Sequence, residues 1–265
     1  MKKLTLFLLL FSLFSLVYAE GPKKKVIIFE EFIAKSSHER ADEIAWNMHN
    51  TTIERLQNNM PRFVTVNLED GESAPDSLTD KYRLKGIISA VTEEKVRTEK
   101  YSTFTNRATF TLTLTLFNDN NNSIIEKKSI IFEGFNLQSK NLAIDDAMQH
   151  NLWRLEDIFN KNLPLVTKVD QIAKTTKKGD VKEFYIKGGL DMGVIEGQIF
   201  IVKLDSNEIA KLKAKEVLDN KTLCTISKGS KEINEIYHID GNLSELIIIG
   251  DEVPFWASLK HALKQ

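Results

Sequence analysis

A single cysteine, Cys224, has to serve a chain of 265 residues. No internal disulfide can form, and stability must come from a packed core. Basic stretches are as scarce. Lys23-Lys24-Lys25 is the one run of three, and it reads as a solvated tail. With a net charge of -1 and both signs interspersed, the chain lacks the electrostatic footprint of a nucleic-acid binder. Long apolar runs are limited to one, Leu4 to Val17, preceded by Lys2 and Lys3 and followed by Val17-Tyr18-Ala19. This run is shorter than the roughly 20 residues a membrane helix needs, and its flanks are those of a secretory signal cut after Ala19. No cysteine stands near its end, so the expected mature N-terminus carries no lipid and has no stable membrane anchor. A periplasmic or secreted location follows.

Catalytic constellations are missing too. None of the five histidines, His38, His49, His150, His238 and His261, lies within four residues of another or of the cysteine. His38 and His49 fall on one predicted helix, eleven residues and so about 16 Å apart, too far to share a metal. His38 with Asp42, and His150 with Asp146, are four-residue spacings that read as surface pairs. Glu30-Glu31 and Asp145-Asp146 are neighbours that diverge on a strand or a helix, so neither forms the facing carboxylates of glycoside chemistry. The glycine cluster Gly188 to Gly197 has neither a phosphate-loop ending nor dinucleotide spacing, and reads as turns in which Gly193 and Gly197 take unusual backbone angles. Cys224, alternating with Ile226, reads as a buried, inert thiol. No catalytic residue, metal ligand or cofactor site is therefore expected.

Removing residues 1–19 takes the net charge to -3 and leaves 246 residues, enough for two domains. Val26 to Phe29 is a strand buried on both faces. Ser36 and Glu39 have capping-box spacing ahead of an amphipathic helix through Ala41, Ile44, Ala45, Met48, Thr52, Leu56 and Met60, which Pro61 ends. Phe63 to Val66 is a second strand, Gly71 to Asp80 a loop, and Tyr82–Val96, Phe104–Phe117 and Ser123–Phe132 three further strands. In Thr109 to Leu116 every even position is apolar and every odd one is Thr, so one face is buried and the other wet. Asn118 to Asn122 supplies a turn, and Ser139 to Asn160 a second helix. Beyond Pro164 short strands recur at 166–173, 181–186, 198–202, 209–217, 222–226 and 245–249, the spacing of a small barrel or sandwich. Phe255 to Leu263 reads as a terminal helical turn or two. The expected class is α+β: a signal over residues 1–19, an α/β layer domain with a mixed sheet and two helices over 20–163, and a mostly β domain over 164–265.

The order of Val26-Ile27-Ile28-Phe29-Glu30, a helix, Arg62-Phe63-Val64-Thr65-Val66 and Tyr82-Arg83-Leu84-Lys85-Gly86-Ile87-Ile88, with Leu114 to Asp119 closing a strand, resembles a bacterial periplasmic superfamily. It includes the N-terminal domain of the Tol translocation protein, the curli-secretion lipoproteins, the lipoprotein activators of penicillin-binding proteins and the flagellar assembly protein T. Gly189 to Val202 is similar to the C-terminal domain of the flagellar protein. The chain departs from the lipoprotein branches in lacking the lipidated cysteine, and from the curli-type channel in offering at most one membrane hairpin, the Thr/Leu strand and its neighbour. The resemblance implies a soluble, non-enzymatic assembly or adaptor protein whose partner is an envelope protein or a second copy. Two rivals stand beside it: a periplasmic hydrolase assembled from distant residues such as His38, Glu30 and Asp42, and an oligomeric secretion-channel component.

Overall fold

A computed structural model describes residues 21–75, 77–98, 103–251 and 253–254. The signal segment 1–19 and the helical reading at Phe255–Leu263 lie outside the described residues. The chain divides into two compact units, one from Lys24 to Pro164 and one holding the described residues from Leu165 onward.

In the first unit the strands are β1 (Lys25–Phe29), β2 (Ile33–Ala34), β3 (Phe63–Asn67), β4 (Lys81–Thr98), β5 (Thr103–Asn118) and β6 (Ser123–Asn136). They form one mixed sheet in the order β3-β1-β4-β5-β6, with β2 pairing β4. β1 runs parallel to β3 and β4, while β4, β5 and β6 form an antiparallel meander. As expected of a central strand, β1 is buried on both faces. The even residues of β5, Phe110, Leu112, Leu114 and Leu116, meet Ile130 and Phe132 of β6 beneath helices α1 (Ala41–Asn59), α2 (Lys140–Gln149) and α3 (Trp153–Asn162). All three helices contribute to a single core on this side of the sheet. Part of the opposite side, over β1 and β3, is covered by Ala74 and Leu78 of the 71–80 loop.

Three expectations about this unit are corrected. The Ser36/Glu39 capping box does not form: Ser36 Oγ accepts from His38 N, and α1 starts later, at Ala41, with Arg40 as a cap that makes no side-chain bond. His38 therefore precedes the helix, and only His49 lies on it. The helix expected over 139–160 is two helices. It begins as read, with Ser139 Oγ accepting from Leu142 N, but α2 stops at Gln149 and Asn151 takes φ +60°. That left-handed residue redirects the chain, so that Leu155, Ile158 and Phe159 reach the core at a new angle. The meander strands also outrun their expected ends, because ladder bonds extend β4 and β5 beyond the region where their side chains are buried.

The second unit is a closed barrel of β7 (Val166–Thr175), β8 (Val181–Lys187), β9 (Ile199–Leu204), β10 (Asn207–Val217), β11 (Lys221–Lys228) and β12 (Ile247–Gly250), in the order β10-β11-β8-β7-β12-β9. Closure decides between the two expected architectures in favour of the barrel, and leaves no free strand edge here. Gly193 and Gly197 take φ +73° and +90°, as their turns require. The expectation of almost no helix fails at α4 (Ser230–Asp240), which packs on β8 and β10. Its apolar stripe is only Ile233, Ile236 and Tyr237. Part of its anchorage is polar: the buried Asn234 takes the N–H of Val181 on Oδ1 and donates through Nδ2 to the Ser230 carbonyl.

Cys224 is fully buried in the barrel core, and burial pushes its thiol up to about 12. Since the thiolate is the reactive form, labelling by a maleimide near neutral pH should be slower by orders of magnitude in the native protein than in denaturant. Time-resolved mass spectrometry reads this directly, and equal rates would place Cys224 outside the core.

Candidate interaction surface

Successive residues of a strand point to opposite faces. Helices cover the even side of β5 and β6, so Thr109, Thr111, Thr113 and Thr115 share the other side with Lys127, Ser129, Ile131, Glu133 and Phe135. Among the described residues of this unit no helix packs on that outer face of β5 and β6. Its polar groups bond laterally: Thr113 Oγ1 to Ser129 Oγ at 2.9 Å and Thr92 Oγ1 to Thr109 Oγ1 at 2.7 Å. Arg107 donates to Glu133 at 2.5 Å and to Glu94 at 3.0 Å. The result is a face with several laterally bonded polar side chains, from which apolar groups project, Ile131 at 61% exposed and Phe135 at 48%. Ile124 and, just past the strand, Leu137 are exposed as well.

β6 is also the outermost strand, and among the described residues nothing pairs with its far edge. Two side chains touch that edge from the helix layer. Asp146 Oδ2 accepts from Phe135 N at 2.8 Å, and Arg154 Nη1 reaches the Ile131 carbonyl at 3.3 Å. In an antiparallel ladder a residue directs its N–H and C=O to the same side. Those two bonds therefore show that the odd residues of β6 present their peptide groups outward. Asp146 closes one end of this edge, and the irregularity beside Ile124 closes the other. An unpaired edge with apolar side chains is a template for another strand.

The residues singled out in the sequence fall elsewhere, and they do not converge. Glu30 is held by Arg83 at 3.1 Å and Lys85 at 2.7 Å. His38 pairs not with Asp42 but with Glu93 of β4 at 3.5 Å, and Asp42 lies exposed in the first turn of α1. From Lys85 to Glu93 is about 26 Å of strand at roughly 3.3 Å per residue. The hydrolase grouping of His38, Glu30 and Asp42 is thus not assembled. His150 and Asp146 do pair, at 3.3 Å, and His238 meets Asp180 at 3.1 Å. Among the described residues no group of three or more His, Cys, Asp or Glu side chains is placed to hold a metal.

His49, which the sequence does not distinguish from a surface histidine, is buried edge-on to Phe29 and Phe32. Asn67 donates through Nδ2 to Asp70, so its Oδ1 is the acceptor facing His49 Nε2 at 3.2 Å. Nε2 is accordingly the donor of this bond. At the other end of the parallel strands, Arg62 is buried over the Phe63 ring and its guanidinium is lowered to about 10 by burial. Lys25 beside it is lowered as well, by its own desolvation and by the Arg62 charge. These groups tie α3 and the strand ends together through Asn160 and the Pro164 carbonyl.

The same alternation in β5 bears on the channel rival. Its apolar residues lie under α2 and α3, in the core. Among the described residues no helix is long and apolar enough to cross a membrane.

No protein-family model and no curated protein matches this chain. Several solved structures are similar to about half of it. The lipoprotein GNA1162 from Neisseria meningitidis is 9% identical with a TM-score of 0.32, over 52% of this chain and 96% of that one. A minor lipoprotein from Acinetobacter baumannii is 13% identical with a TM-score of 0.33, over 53% and 97%. A PelC dodecamer subunit from Paraburkholderia phytofirmans is 12% identical with a TM-score of 0.32, over 49% and 91%.

Proposed function

We propose that this chain is a non-enzymatic protein of the bacterial envelope that works in assembly by presenting surfaces to other protein chains. The observation that carries this reading is the uncovered face and edge of β6, with Ile131 and Phe135 projecting among laterally bonded polar groups. Partially exposed apolar residues on an unpaired strand are poor for solubility, and a docking partner would explain them. Glu30, His38 and His150, by contrast, are held in ion pairs that brace the fold.

A photo-crosslinking amino acid placed at Ile131 or at Phe135, in cells, should yield discrete adducts to protein. The same group at Trp46, exposed on the outer side of α1, should yield few. Replacing Ile131 and Phe135 together with Asp should abolish the adducts formed from a probe at Leu137 while leaving the circular dichroism spectrum intact. Adducts of equal yield from Trp46 and Ile131 would sink this reading.

A further inference from the structure

The edge of β6 has a charge pattern that selects its own occupant. We infer that it pairs with β6 of a second copy, antiparallel about a two-fold axis at Ile130, an inference that rests on the surface reading above.

The outward-facing residues are Lys127, Ser129, Ile131 and Glu133, a stretch bounded by the Asp146-bonded Phe135 and by the irregularity near Ile124. Antiparallel pairing of a strand with itself has few registers that bring outward residues opposite each other. With the axis at Ser129, Lys127 faces Ile131 and Glu133 faces Ile125. With the axis at Ile131, Lys127 faces Phe135, whose N–H is already taken. With the axis at Ile130, Lys127 faces Glu133 twice, once on each side of the axis, and Ser129 faces Ile131.

That register uses the whole free stretch. Each hydrogen-bonded pair exchanges two bonds, giving about eight across the axis. The long Arg154 contact at 3.3 Å to the Ile131 carbonyl is the one it displaces. It leaves the shorter Asp146 bond in place. Both cross-strand ion pairs lie on the open face, where Lys127 is exposed and Glu133 shares its carboxylate with Arg107. The dimer would carry one continuous sheet with both helix layers on one side.

The test uses the full chain after export. Sedimentation across micromolar concentrations should show a monomer–dimer equilibrium that weakens with salt. Lys127→Glu should weaken it by about tenfold or more, because two attractions become two repulsions. Adding Glu133→Lys to that variant should restore it, with Arg107 keeping Glu94 as partner. Mixed Lys127→Cys and Glu133→Cys proteins should link to each other through a short bis-maleimide, and neither should link to itself, Cys224 being buried. A monomer at every concentration, or a dimer indifferent to the charge swap, would overturn the pairing. If such a monomer still forms Ile131-dependent adducts in cells, the docking surface stands and its occupant is a different protein.

Discussion

Gly134→Val is expected to destabilise the Lys24–Pro164 unit by about 3 kcal/mol or more, at the upper end of what overpacking costs. A Cβ at Gly134 would lie 2.2 Å from Ala143 O and 2.2 Å from Ala147 N, both backbone atoms of α2. No rotamer can relieve that overlap, so the helix itself must retreat from β6. Retreat uncovers Ala143, Ile144 and Ala147, which are buried against the sheet, and draws Asp146 off the Phe135 N–H. The substitution therefore attacks packing and opens the guarded end of the edge together. Urea unfolding followed by circular dichroism gives the loss of stability. An unchanged midpoint would show that α2 does not sit on Gly134.

Phe110→Ala is expected to cost about 3–5 kcal/mol, the range for emptying an aromatic site in a core. Phe110 stacks on Phe132 with ring centroids 5.0 Å apart and an 11° interplanar angle, and both side chains are almost wholly buried. Deleting one ring loses the transfer energy and leaves the other facing a void between sheet and helices. The neighbouring Thr111→Ala is the control. Thr111 points to the open face, and its loss should change stability by no more than about 0.5 kcal/mol. Equal costs at the two positions would mean that the helices do not cover the side assigned to them.

How much was legible varies with how local the cause is. The Thr/Leu alternation of β5, the buried run of β1 and the proline after α1 are properties of a few consecutive residues, and each element appears where its pattern places it. The Ser36 cap failed because a capping box is only a spacing, and here Ser36 serves a turn at His38 instead. α4 was missed because its stripe is short and a polar side chain, Asn234, does much of the anchoring. The break at Asn151 follows from where α3 must lie to bury Phe159, which is no property of the residues near it. His49 and His38 look alike in the sequence; one is in the core and the other pairs with Glu93, because only tertiary contacts distinguish them.

The interaction surface was the least legible part. Ile130-Ile131-Phe132 is a continuous apolar run, which hides that Ile130 and Phe132 enter the core while Ile131 stays outside. The sequence by itself determined that no disulfide can form within this chain and that β5 has one wet and one dry face. Only the tertiary structure decided that the second unit closes into a barrel and that β6 ends the sheet with its odd residues facing outward. Strand order is set by contacts between segments far apart in the chain. Which edge remains open is known only once every other strand has found its partner.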